Sequence, residues 1–262
     1  MTQAERRVWL IKALQRDMSQ YSQIPLPADE EDQWRLLRSL MNVRPPRPAS
    51  AEFLAVQDSF LQEMTREKGV VECESLAPSL RDPRLCVWQG DITTLRCDAI
   101  VNAANSQMLG CFSPCHGCID NIIHTMSGVQ LRLKCSALMS AQGREEPTGR
   151  AKLTPGYNLP ARYVLHTVGP IIDGEVTPED EALLESCYLS CLALASEYQL
   201  ASVAFCCIST GVFRFPQRRA AEIAVSAAES FLAGETTVRR VIFNVFKDSD
   251  LAIYQDILGR PR

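Results

Sequence analysis

The sequence predicts an α/β sandwich with a largely parallel or mixed central sheet, preceded by a helical N-terminal region. Three observations lead to this prediction. From residue 84 onward, short apolar segments alternate with longer segments of helical periodicity, as in proteins whose helices cover a central sheet. The segment SVAFCCIS (202–209) is apolar and rich in β-branched residues, as in a strand buried on both faces. Residues 1 to about 70 show helical periodicity alone.

The N-terminal region contains three segments with the apolar spacing of amphipathic helices, at 2–18, 29–43 and 50–69. The third has Ser50 as a predicted N-cap and Gly69 as a predicted C-cap. Three prolines in RPPRPAS separate it from the second. We therefore divide the chain into a helical N-terminal extension, which caps the rest, and a main domain, with the ranges 1–75 and 76–262.

The elements of the main domain follow in order along the chain. Strands are predicted at 84–91, 97–105, 151–159, 161–169, 202–209 and 239–246. Helices are predicted from 119 to about 142, then at 177–198, about 216–232 and 249–258. The helix at 177–198 has the clearest start, because Thr177 is a good N-cap residue and Pro178 fits the first helical position.

Composition excludes several classes of function. The chain has 262 residues, 46% of them hydrophobic, and a formal charge of -4, so a basic nucleic-acid-binding surface is not expected. No apolar run approaches the ~20 residues of a membrane span, and the charged N-terminus lacks the apolar core of a signal peptide. Eleven cysteines without a secretory signal predict a reducing, cytoplasmic location with free thiols, apart from any that bind metal.

Three predicted strands run into unusual loops at their carboxyl ends, where open α/β sheets bind ligands. One ends in Gly90 and Asp91, and another ends in Asn102 and Asn105. The third ends in the small residues 209–211, directly before a helix. There the backbone N–H groups and the helix N-terminus are suited to bind an anion such as phosphate.

Together these motifs resemble the macrodomain family of ADP-ribose-binding and ADP-ribose-processing modules. The resemblance covers about residues 84–260 and is carried by GDIT, DAIVNAAN, IDNIIH and ISTGVFRFP. It implies a three-layer α/β/α fold around a mixed sheet and a cleft that holds ADP-ribose.

The resemblance also implies roles for individual residues. Asp91 matches the acid that hydrogen-bonds the adenine amino group, Asn105 the asparagine near the distal ribose, and Asp120 the catalytic-loop aspartate. Asn105 and Asp120 are thus the candidate catalytic residues. Phe246 matches the residue that packs on adenine, although a core aromatic at a strand end is an alternative. The other implied substrate-binding residues are Ile92, Asn102, Ser209, Thr210, Gly211, Val212, Phe213 and Arg214.

Two departures from the family pattern bear on function. Arg214 stands where glycine is usual, and its side chain would either contact a phosphate or point into solvent. The glycine run before Asp120 is replaced by GCFSPCHGC (110–118). This insertion and the helical extension resemble the zinc-containing macrodomains, microbial enzymes that occur with sirtuin-type ADP-ribosyltransferases and remove ADP-ribose from proteins. Their Cys-x4-His-x-Cys spacing matches Cys111, His116 and Cys118, which implies a Zn²⁺ cofactor.

The number of ligands at this site remains open in the sequence. Three ligands would leave a fourth position for water or a ribose hydroxyl, as in a catalytic zinc site. Cys115 as a fourth ligand would close the site and make it structural, and no metal at all is the third alternative. Adjacent Cys115 and His116 would have difficulty reaching one ion, which favours three ligands. The segment PCHGC also fits half of the zinc-deaminase signature, but its H-x-E half is missing.

The resulting hypothesis is a zinc-dependent hydrolase that removes mono-ADP-ribose from modified proteins, with Asp or Glu as the linked residue. Asp120 would deprotonate or orient a water or ribose hydroxyl beside the metal. One alternative is a non-catalytic ADP-ribose-binding module with a structural zinc. Another is a hydrolase of O-acetyl-ADP-ribose or a related derivative. His124 either faces the cleft or is a buried histidine hydrogen-bonded to the backbone, and we expect the second. His166, near a strand end, is expected to be structural.

Overall fold

The structure is a computed structural model that describes residues 1–259. Its main sheet has six strands in the spatial order β2-β8-β7-β4-β6-β5. All neighbouring pairs are parallel except β5 and β6, which are antiparallel. The strands are β2 Leu85–Gln89, β4 Ala99–Ala103, β5 Ala151–Pro155, β6 Tyr163–Thr167, β7 Ser202–Phe205 and β8 Arg240–Val245. This mixed sheet confirms the predicted fold class.

Helices cover the main sheet. They are α4 Ile119–Ser127, α5 Val129–Gln142, α6 Pro178–Glu197, α7 Gln217–Leu232 and α8 Asp248–Leu258. Helix α7 packs against both α6 and α8, whereas α4 contacts β4 and α5. Every residue of β7 is buried, as a strand covered on both faces requires. Helix α6 begins with the predicted Thr177 N-cap, which forms a capping box with Asp180.

The predicted single helix at 119–142 is wrong in one respect, because the chain breaks it into α4 and α5 at Gly128. Gly128 has a φ of 98°, which favours glycine, and a Cβ there would lie 2.6 Å from Nε2 of Gln57. Gln57 also accepts a 3.0 Å hydrogen bond from the Val129 N–H. The break therefore accommodates a side chain of the N-terminal region.

The N-terminal region forms a layer of three helices, α1 Gln3–Asp17, α2 Glu30–Val43 and α3 Ala51–Lys68. Their hydrophobic cluster also includes Val129 of α5. Ser50 caps α3 by accepting from the Phe53 N–H at 3.1 Å, and Gly69 ends it with a φ of 90°. A short strand β1 (Val71–Glu72) then pairs in parallel with β3 (Leu95–Arg96). The boundary at 75/76 stays a prediction.

The parallel strands β8, β7 and β4 are neighbours, so the loops that follow them meet at one edge of the sheet. These loops carry Phe246, residues 209–213 and Asn105. Within residues 1–259, no helix has both the length and the apolar character needed to cross a bilayer.

Candidate active site

A cleft of about 610 Å³ lies at the carboxyl ends of β4, β7 and β8. That size suits a small-molecule ligand. The cleft brings together eleven of the residues predicted from the sequence: Asn105, Cys111, His116, Cys118, Asp120, Ser209, Thr210, Gly211, Val212, Phe213 and Phe246.

Asp120 lies in the first turn of α4 and is only 5% exposed. Its Oδ1 accepts from Asn102 Nδ2 at 2.8 Å, and its Oδ2 accepts from Asn105 Nδ2 at 3.3 Å. Burial raises the pKa of Asp120 to about 6, although the Asn102 hydrogen bond and the Arg132 charge oppose this shift. The carboxyl group is therefore mostly ionised at neutral pH and is fixed on both oxygens.

The two asparagines of NAAN have different roles. Asn102 is fully buried on β4, does not line the cleft, and orients Asp120 through its hydrogen bond. Asn105 lines the cleft and is held by a hydrogen bond from the Gln107 N–H to its Oδ1, at 3.0 Å. Its Nδ2 also donates to the carbonyl oxygen of Gly110 at 3.1 Å. The side chain that would meet a ribose is thus held in place before ligand binds.

Cys111, His116 and Cys118 converge on one point in the loop before α4. Their ligand atoms all lie within 4.8 Å of one another, and Cys111 Sγ is 3.7 Å from His116 Nδ1. Two thiols and one imidazole are the donors that zinc prefers, and the geometry would leave a fourth position open. Burial raises the pKa of the Cys118 thiol to about 11, so without a cation this group is protonated. These three residues fit a metal site of the predicted kind.

Cys115 points away from these three residues. It has a φ of 53°, and its Sγ donates to the carbonyl oxygen of Arg35 at 3.3 Å. The same Sγ lies 3.3 Å from Ser39 Oγ, so its thiol faces α2. This placement supports the three-ligand interpretation of the site.

The loop at 209–213 has the features of an anion cradle. Within residues 1–259, the N–H groups of Gly211, Val212 and Phe213 donate to no protein acceptor. Ser209 adopts a φ of 63°, and its buried Oγ has no partner in the described chain. Gly169 approaches this hydroxyl so closely that an added Cβ would lie 2.1 Å from it. Unpaired N–H groups and a hydroxyl on one loop are suited to phosphate.

Four predicted binding residues do not line the cleft: Asp91, Ile92, Asn102 and Arg214. Ile92 is 1% exposed and belongs to the core. Arg214 has a φ of 61°, which explains why glycine is common there, and its exposed guanidinium lies 3.5 Å from Asp173. Both predicted alternatives for this side chain, contact with a phosphate and exposure to solvent, stay predictions. The ligand contacts expected of these residues stay predictions.

Asp91 caps a short 3₁₀ helix beyond β2. It accepts from the N–H and hydroxyl of Thr93, at 3.0 and 2.6 Å, and pairs with Lys68 Nζ at 3.0 Å. Burial acts to raise its pKa, but Thr93 and Lys68 outweigh burial and lower it below the usual value. Asp91 is therefore an ionised carboxylate at neutral pH, already engaged by a lysine of α3.

Phe246 is 80% exposed and lines the cleft, so the alternative of an ordinary core aromatic is wrong. Sequence reasoning missed three polar residues nearby that also line the cleft, Asn244, Lys247 and Asp250. The signal for Asn244 was available, because a lone polar residue interrupts the apolar strand VIFNVF. Its Nδ2 donates to the carbonyl oxygen of Gly90 at 3.0 Å and fixes the end of β2.

His124 and His166 both lie buried in the core behind Asp120. His124 Nε2 is 3.5 Å from Asp120 Oδ1, and neither ring nitrogen has a hydrogen-bond partner in the described chain. The backbone hydrogen bonds expected for His124 are thus absent there. His166 is better satisfied, with Nε2 at 2.9 Å from Thr154 Oγ1 and Nδ1 at 3.2 Å from Asn102 Nδ2.

Acid is expected to destabilise the fold partly through His166. Burial lowers the pKa of His166 to about 3, whereas the unfolded chain has a value near 6.5. Between these values the unfolded state binds a proton that the folded state does not, so stability falls as pH falls. The expected contribution is about 2 kcal/mol at pH 5. Urea unfolding from pH 7 to pH 4.5 should show a steeper loss for the wild type than for His166→Asn. Parallel curves would contradict the prediction.

The fold and the cleft place the chain in a known class. The profile of the Macro domain family matches residues 101–224. A solved Trypanosoma brucei macrodomain in complex with ADP-ribose superposes with a TM-score of 0.67 at 32% sequence identity, covering 84% of this chain and 95% of that one. The chain belongs to the macrodomain family.

Two curated relatives indicate the kind of reaction that such proteins catalyse. A protein of Treponema medium named protein-ADP-ribose hydrolase is 54% identical over 99% of this chain and 100% of its own length. A protein of Fusarium oxysporum f. sp. cubense named probable bifunctional ADP-ribose hydrolase/ADP-ribosyltransferase is 44% identical over 86% of this chain and 40% of its own length. The prediction that the chain is an enzyme is confirmed by its full-length similarity to the named hydrolase.

Proposed function

We propose that this protein is a zinc-dependent hydrolase that removes mono-ADP-ribose from aspartate or glutamate side chains of modified proteins. The observation that carries the proposal is the shared cleft. Asp120, Asn105, the Cys111/His116/Cys118 site and the loop at 209–213 all line it. One ligand with a ribose at one end and phosphates in the middle would meet all four. The named hydrolase of T. medium, similar over its full length, supports the hydrolytic reaction.

The chain's own residues account for binding and proton transfer. The free N–H groups of 211–213 bind the diphosphate, and Phe246 offers an exposed ring to the adenine. Asn105 orients the hydroxyls of the distal ribose. Asp120, held by Asn102 and Asn105, takes the proton of the attacking water or of a ribose hydroxyl. Water adds across the bond to the protein, and the products are free ADP-ribose and an unmodified carboxylate.

Zinc, held by Cys111, His116 and Cys118, would supply Lewis-acid chemistry beside the distal ribose. Cys118 lies two residues before Asp120 and caps α4, where its Sγ accepts from the Asn121 N–H at 3.4 Å. The metal site and the carboxylate are therefore held by the same helix start. Because thiolate ligands require reduced cysteines, a cytoplasmic location is part of the proposal.

An ADP-ribosyltransferase is the proposed functional partner. The F. oxysporum relative is named for both activities and is longer than this chain, of which it matches 86%. The two activities in the name of one relative support a transferase that attaches ADP-ribose to the proteins from which this hydrolase removes it. We propose that this ADP-ribosyltransferase is of the sirtuin type.

Release of ADP-ribose from a glutamate-modified protein tests the proposed function. The zinc-loaded enzyme is expected to release ADP-ribose with multiple turnovers, and to act more slowly on O-acetyl-ADP-ribose. Running the reaction in H₂¹⁸O identifies the bond that is broken. Label in the ADP-ribose indicates attack at the anomeric carbon, and label in the protein carboxylate indicates attack at the acyl carbon. Tight binding of ADP-ribose without release from any of these substrates would contradict the hydrolase proposal.

A further inference from the structure

Helix α2 of the N-terminal layer contacts the loop that carries the metal site. Arg38 Nη2 donates to the carbonyl oxygen of His116 at 2.8 Å. The same guanidinium donates to Asn121 Oδ1 from Nη2 at 2.7 Å and from Nε at 3.1 Å. Asn121 in turn donates from Nδ2 to the carbonyl oxygen of Ser113 at 2.9 Å. One arginine therefore connects α2 to a metal-binding residue and to the residue after Asp120.

A second side chain of α2 holds the same loop. Asn42 Oδ1 accepts from the N–H of Cys115 at 2.9 Å, and Asn42 Nδ2 donates to Thr125 Oγ1 at 3.0 Å. Cys115 has a positive φ, a conformation that L residues seldom adopt without support. Asn42 thus supports an unfavourable turn directly before His116.

Arg132 of α5 secures the other end of the loop to α2. Its Nε donates to the carbonyl oxygen of Leu109 at 2.7 Å, and its Nη1 donates to those of Asn42 and Arg44, each at 2.6 Å. The guanidinium also lies 4.1 Å from the ring centroid of Phe112. The loop is therefore held against α2 at both ends.

We propose that Arg38 is a positioning residue for zinc, which gives the N-terminal layer a direct part in metal binding. The inference rests on the proposed zinc-dependent function. Residues 104–118 contain no helix or strand, so their order depends on such contacts. By fixing the His116 carbonyl and Asn121 together, Arg38 holds the imidazole at a set distance from the thiols before metal arrives. Lysine cannot replace the forked guanidinium of Arg38, because its single ammonium group does not hold the His116 carbonyl oxygen and Asn121 Oδ1 in a fixed geometry.

Zinc affinity of purified, metal-stripped variants tests this inference, measured by competition with a chromophoric chelator in the absence of substrate. Arg38→Ala is expected to bind zinc about 10–100-fold more weakly than wild type, the usual effect of losing a group that orients a metal ligand. Arg38→Lys should recover only part of the affinity. Arg35→Ala is the matched control. It lies on the same helix, and its exposed side chain pairs with Glu31 instead of the loop.

Activity at several zinc concentrations distinguishes positioning from a general loss of folding. For Arg38→Ala, excess zinc should restore most of kcat, whereas a misfolded variant would stay inactive and melt at a lower temperature. Unchanged zinc affinity in both Arg38 variants, with zinc bound normally by wild type, would overturn this inference alone. A wild type that binds no zinc would overturn the inference and the zinc dependence together. Zinc binding by wild type without hydrolysis would refute the proposed reaction and leave the Arg38 test valid.

Discussion

Asp120→Asn is expected to lower kcat for ADP-ribose release by about 10²–10⁴-fold, the range for losing a positioned general base. Asparagine keeps the size of the side chain but cannot accept the proton from water or a ribose hydroxyl. Single-turnover release from a modified protein is the measurement. In the proposed mechanism Asp120 acts at the distal ribose and does not contact the diphosphate or the adenine. The affinity for free ADP-ribose should therefore change far less than kcat.

A matched aspartate distinguishes catalysis from stability in this experiment. Asp98 lies directly before β4 and outside the cleft lining, where its Oδ2 accepts from the N–H groups of Ala201 and Ser202 at 2.8 and 3.1 Å. Asp98→Asn is expected to lower the melting temperature and to leave kcat near the wild-type value. Equal loss of kcat in both variants would mean that Asp120 acts through the fold, and the general-base role would be wrong.

The fold was predictable because its signals are local. Thr177 and Pro178 define the start of α6 through a cap that depends only on neighbouring residues. The continuous apolar run of β7 predicts a strand that is buried on both faces, whichever helices cover it. The break at Gly128 was not predictable, because it depends on the side chain of Gln57, which is distant in sequence and docks from another layer.

The residues of the candidate site were likewise predictable where their signal is local, and not where it depends on contacts between distant parts of the chain. Residues that follow strands, such as Asn105 and Ser209, were found because strand ends in a parallel sheet converge at one edge. The contacts that orient these residues were not predicted. The predicted ligand contact of Asn102 stays a prediction, whereas its observed hydrogen bond to Asp120 depends on how α4 packs on β4. Arg38 lies in the N-terminal layer, where no sequence motif indicates a function, and only folding brings it to the loop at 104–118.

Cys118→Ser is expected to abolish tight zinc binding and to lower kcat by roughly 10³-fold, in line with the several kcal/mol that a catalytic metal supplies. A serine hydroxyl is a poor zinc ligand but a good N-cap, so it can replace the Sγ that caps α4. The variant therefore removes the ligand and retains the start of the helix. Metal content, zinc affinity and kcat are the measurements, and chelation of the wild type should reproduce the loss.

Cys115→Ser is the matched control, since it removes a thiol from the same loop. The Cys115 thiol faces Arg35 and Ser39 on α2, and a serine hydroxyl can make the same contacts. We expect this variant to bind one zinc with wild-type affinity and to retain kcat. Loss of zinc from both variants would instead indicate four protein ligands. Such a site has no open position for water or a ribose hydroxyl, so the metal would be structural, and hydrolysis would depend on Asp120 and Asn105 alone.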